Sequence, residues 1–83
     1  MDIFVGNLAE TTTADDLRQL FAAYGVIARI HLLQEHDTGQ PHGVGMVEMP
    51  DALEAQAAID GLQGTRLGGR TLTIHQTHLG GVW

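Results

Sequence analysis

Apolar and polar positions along the chain follow two rhythms, period two in four short stretches and helical spacing in two, in the order strand, helix, strand, strand, helix, strand. Residues 2–6 alternate around Phe4 and stop at the turn signal Gly6-Asn7-Leu8, which predicts a first strand. Thr13 then precedes Asp15 and Asp16, a hydroxyl cap followed by carboxylates that suit the positive end of a helix, and Thr13 with Asp16 approximates a capping box. Leu17, Leu20, Phe21 and Tyr24 recur at helical spacing, so a helix is expected from Ala14 to Tyr24, with Gly25 as its left-handed terminator.

Val26 to Leu33 is rich in branched residues and predicts a second strand, with Ile30 and Leu32 on one face and Arg29, His31 and Leu33 on the other. Residues 35–41 contain Asp37-Thr38-Gly39 and read as a loop. Gly43 to Met49 forms a third strand whose glycines imply close approach of another element. Pro50 opens a second helix over Asp51–Leu62, with Leu53, Ala57, Ala58 and Leu62 as its small-residue packing stripe and Gly61 or Gly64 as its end. Arg66 to Arg70 is a solvated glycine turn, and Thr71 to His75 is a fourth strand with Leu72 and Ile74 inward. Such an order of elements predicts one α+β domain over residues 1–77, with both helices on one face of a four-stranded antiparallel sheet and the other face open. Residues 78–83, which include Gly80-Gly81, are expected to form a flexible tail.

Composition narrows the chemistry. The 83 residues contain no cysteine, so disulfide frameworks and thiolate metal sites are excluded. Serine and lysine are also missing, which removes the usual hydroxyl and Schiff-base nucleophiles and makes this a binding module rather than an enzyme, with no cofactor expected. Five histidines offer pairs such as His75 with His78, or His36 with His42, but the first straddles a strand end and no cysteine joins either, so solvent-exposed histidine is the reading and no metal is expected. No basic leader or long apolar run opens the chain, so a cytoplasmic location away from membranes is expected. Ten acidic residues face four arginines, a formal charge of −6 that argues against tight, charge-driven capture of phosphates.

Ile3-Phe4-Val5-Gly6-Asn7-Leu8 nevertheless resembles the RNP2 hexamer of RNA-recognition motifs, and His42-Gly43-Val44-Gly45-Met46-Val47-Glu48-Met49 stands where the RNP1 octamer belongs. Leu17, Leu20, Phe21, Tyr24 and Gly25 of the first helix, Thr38-Gly39, Leu62-Gln63-Gly64, and Leu67-Gly68-Gly69-Arg70 with Leu72 extend the resemblance over residues 2–76. The chain is similar to single-domain bacterial proteins of this family. The resemblance implies a ferredoxin-like β-α-β-β-α-β sandwich with strand order 4-1-3-2, its two motifs on the central strands.

In that family, unpaired bases stack on outward side chains of the sheet. Period-two alternation points Phe4, Val44 and Met46 outward, while Ile3, Val5, Val47 and Met49 face the helices. Phe4 matches a stacking position; Val44 and Met46 stand where the family usually carries aromatics, and His42 where it usually carries Lys or Arg. Losing two platforms removes roughly 2–6 kcal/mol of stacking, so affinity for RNA is expected to be modest. The expected partner is single-stranded RNA, or single-stranded DNA by the same chemistry, bound by Phe4, His31, His42, Val44, Met46 and His75. The alternative is a protein-interaction or self-association module that uses the apolar sheet patch or a helix face.

Overall fold

The computed structural model describes residues 1–9, 11–33 and 42–77, without the side chains of Leu33 and His42. The expected loop at 35–41 and the tail at 78–83 lie outside the described residues, as do His36 and His78. Strands β1 (Asp2–Ala9), β2 (Arg29–Leu33), β3 (His42–Glu48) and β6 (Thr73–Thr77) form one antiparallel sheet in the order β2-β3-β1-β6, with β1 and β3 at the centre. This is the order expected from the sequence. Helices α1 (Ala14–Ala22) and α2 (Ala52–Leu62) cover one face, and β4 (Arg66–Leu67) with β5 (Arg70–Thr71) makes a small hairpin before β6. Gly68 and Gly69 both have positive φ in that hairpin, the conformation a two-residue primed turn demands.

Ile3, Val5, Val47, Met49, Leu72 and Ile74 of the sheet side pack with Leu17 and Phe21 of α1 and with Ala55, Ala58, Ile59 and Leu62 of α2. Thr13 caps α1 as a complete capping box: its hydroxyl accepts from the Asp16 N–H at 3.2 Å, and the Asp16 carboxylate accepts from the Thr13 N–H at 3.0 Å. Gly45 opens the centre of the sheet to α1, since a Cβ there would stand 2.9 Å from a Leu17 methyl.

Several local expectations need correction. The second strand starts at Arg29 rather than Val26, and the last runs Thr73–Thr77 rather than Thr71–His75 because Arg70–Thr71 pairs in the small hairpin. Strand β1 does not stop at Gly6 but runs to Ala9 through a bulge: Val5 faces Gly45 and Leu8 faces Gly43, so Gly6 and Asn7 together oppose Val44. Asn7 takes φ 63°, a left-handed conformation that asparagine tolerates, and the extra residue turns Leu8 into the core, where it is fully buried.

Helix α1 ends at Ala22 with a right-handed cap at Ala23, and Gly25 is not among the positive-φ glycines. Its lack of a side chain serves space instead, because a Cβ there would lie 2.1 Å from the Glu54 carboxylate. Helix α2 is capped by Asp51, not opened by Pro50: the Asp51 carboxylate accepts from the N–H groups of Leu53 and Glu54 at 2.9 and 3.1 Å. That phase buries Ala55, Ala58, Ile59 and Leu62, while Leu53 is 84% exposed and Ala57 is exposed with it. The small-residue stripe is therefore one helical row away from where Leu53 and Ala57 were expected.

Candidate nucleic-acid interface

The face of the sheet opposite the helices is built from the odd-parity partners of the core. In register across it stand His75 of β6, Phe4 of β1, Met46 of β3 and His31 of β2. Phe4 and His75 form a stacked ring pair, with centroids 4.7 Å apart and planes inclined by 23°. Their juxtaposition follows from the β1–β6 register, which makes them direct cross-strand neighbours. The Phe4 ring leans over Gly6, where a Cβ would lie 2.7 Å from its edge, so the glycine of the RNP2-like segment makes the ring's position possible.

The other half of the face is different. Val44 is half-buried and paired with Leu33, and His31 is half-buried beside Met46. Met46 keeps only 3% of its surface although it lies outside the core cluster under the helices. It is placed between Phe4 and His31 in the register, but it presents almost no area to a ligand. The backbone of His42 ends β3 opposite Ala9; its side chain lies outside the described residues. Phe4, His31, Met46 and His75 thus line up in one row, Val44 is offset from it along β3, and His42 is placed further along at the strand end.

Sequence reasoning missed a polar latch at the rim of this face. Asn7, held left-handed by the bulge, accepts from the Arg70 guanidinium at 2.5 Å (Nη2 to Oδ1) and donates its own amide to the Thr71 carbonyl at 2.8 Å. The Arg70 Nε also reaches the Asn7 carbonyl at 3.3 Å. Arg70 is therefore a half-buried clasp between β1 and β5, not the solvated turn residue its glycine neighbours suggested. The available signal was Asn7 itself, since asparagine is enriched at positive φ.

Charge is unevenly distributed. Among the described residues, α1, α2 and the Asp51 cap carry five carboxylates against Arg18, whereas the strands carry Asp2 and Glu48 against Arg29, Arg66 and Arg70. Arg29 and Glu48 are cross-strand partners 3.6 Å apart. Among the described residues the carboxylates accordingly weigh on the helical layer rather than on the sheet. Among the described residues no group of three His, Asp or Glu side chains is arranged to hold a metal ion, and no helix is long and apolar enough to cross a membrane.

Comparison with known proteins matches this geometry. The chain is 43% identical over 76 residues to the protein named "Putative RNA-binding protein RbpA" of Nostoc sp. (strain PCC 7120), covering 92% of this chain and 74% of that one. The crystal structure of RNA Binding Protein PG1 superposes with a TM-score of 0.82 at 34% identity, covering 93% of each chain. The first two RRM domains of yeast Poly(U) Binding Protein (Pub1) superpose with a TM-score of 0.88 at 26% identity, over 94% of this chain and 46% of that one. The family model for the RNA recognition motif matches residues 3–73, and with the two motif strands adjacent at the centre of the sheet, the chain belongs to the RNA-recognition-motif family.

Proposed function

We infer that this protein binds single-stranded RNA on the open face of its sheet, and that the Phe4–His75 pair is the principal stacking platform. The observation that carries this reading is the stacked pair itself, an aromatic surface on the face that the helices leave uncovered. Base stacking on an aromatic side chain contributes about 1–3 kcal/mol per base. His75 adds a second ring at the β6 side, which offsets part of what the aliphatic Val44 and Met46 forgo at the usual family positions. Val44 and His31 border the platform, Met46 acts as its floor, and His42, at the far end of β3, is proposed to meet the bound strand beyond it. Single-stranded DNA offers the same base faces and is expected to bind in the same place, more weakly where 2′-hydroxyl contacts are absent. The setting we propose is the cytoplasm, in keeping with a chain that carries no cysteine.

A titration of isotope-labelled protein with a pool of short degenerate RNAs tests the reading. Amide shifts are expected to cluster on β1, β6 and the adjacent part of β3, and to be much smaller in Phe4→Ala at the same RNA concentration. Shifts confined to the helices would overturn it.

A further inference from the structure

Two large hydrophobic side chains stand out in solvent among the described residues, Leu53 at 84% exposure and Val26 at 68%. A lone exposed leucine is ordinary; here the segments that carry the two are held together. The Glu54 carboxylate accepts from the Val26 N–H at 3.1 Å, and the chain at Gly25 lies directly against the Glu54 side chain. The segment carrying Val26 is thus held onto the first turn of α2, the turn that carries Leu53. Ala57, one helical turn beyond Leu53, is exposed in the same row, and Tyr24 of the neighbouring segment packs over Gly61. Together they make an apolar strip beside the seam of the two helices, on the side of the molecule opposite Phe4 and His75.

Its surroundings restrict what can cover it. Asp15 and Asp16 of α1 and Asp51, Glu54 and Asp60 of α2 and its cap are opposed in this layer by Arg18, which already faces Asp15 at 3.8 Å. A second copy docked through the same patch would bring the same carboxylates face to face. Nucleic acid and anionic lipid are repelled for the same reason. A strand cannot add here, because the layer presents helices and no sheet edge, so the partner must satisfy its own backbone hydrogen bonds. We propose that the strip formed by Val26, Leu53 and Ala57 is a docking surface for a basic amphipathic helix of another protein, whose apolar side chains meet the strip and whose Lys or Arg side chains meet carboxylates of the helical layer. The site is independent of the sheet face, so the domain holds RNA and this partner at once.

The probe is a synthetic peptide on the order of 15 residues, with leucines at helical spacing and lysines elsewhere, compared with a scrambled peptide of identical composition. The amphipathic peptide is expected to shift the amides of Val26, Leu53 and Ala57 while those of Phe4 and His75 stay in place. Leu53→Ser should lower its affinity about tenfold and leave RNA affinity unchanged, which also reports that the variant is folded. Asp60→Asn should reduce both the affinity and its salt dependence. Equal binding of the scrambled peptide, shifts on the sheet instead of the helices, or insensitivity to Leu53→Ser would each overturn the proposal. Concentration-dependent dimerisation that is lost in Leu53→Ser would overturn it in favour of a second copy.

Discussion

The two halves of the open sheet face start from the same backbone and end with different capacities. On the β1–β6 side, Phe4 and His75 are cross-strand neighbours with stacked rings. On the β3–β2 side, the equivalent neighbour of Phe4 is Met46, which is almost wholly covered, and His31 follows it. Both halves are outward by strand parity. Parity selects a face, but the size and packing of the neighbouring side chains decide how much of that face a base can reach.

Removing the aromatic at the centre should break this asymmetry most severely. Phe4→Ala is expected to cost about 1–3 kcal/mol of RNA binding, roughly five- to 150-fold, measured by fluorescence anisotropy with a short single-stranded RNA. Thermal stability should change little, because the ring lies on the side of β1 away from the core. Unchanged affinity would remove Phe4 from the interface.

The poorer half can be tested by adding what it lacks. Val44→Phe places a ring at a half-buried position and is expected to raise affinity roughly five- to tenfold. Met46→Phe must fit a larger group where only 3% of the residue is exposed, and is expected to lose about 1–3 kcal/mol of stability by overpacking. Denaturant unfolding beside the binding isotherms separates the two outcomes; a Met46→Phe protein that is both stable and tighter-binding would show that the β3 side is as receptive as the β1–β6 side.

A smaller effect is expected from the partner ring. Aromatic pairs contribute about 0.5–1.5 kcal/mol beyond their burial, so His75→Ala should weaken RNA binding by roughly two- to tenfold. His75→Phe should restore it if stacking is what the ring supplies, whereas failure of the phenylalanine would point to a polar contact.

Much of the fold was legible in the chain because it rests on local chemistry. The Thr13–Asp16 box caps α1 through bonds within four consecutive residues, and the alternation Ile3-Phe4-Val5 assigns faces from geometry that any strand shares. The adjacency of β1 and β3 was also available, since the motif order and two short crossover helices leave few other arrangements. Phe4 and His75 were both expected outward on this basis, and their stacking needed only the register that joins β1 to β6.

What the sequence could not decide depends on residues far apart in the chain. The bulge at Gly6–Asn7 keeps both Val5 and Leu8 in the core, and Asn7 is clasped by Arg70, 63 positions away. Gly25 looks like a helix terminator in isolation, yet the Glu54 side chain fills the space it leaves. Leu53 fits a helical stripe by spacing, but Asp51 sets the start of α2 and the phase then turns Leu53 to solvent. Met46 is outward by parity and covered in fact. Periodicity and capping are set by bonds within a turn or along a strand, so a linear pattern records them; burial, register shifts and close approach arise when distant segments meet, and only their packing in three dimensions determines them.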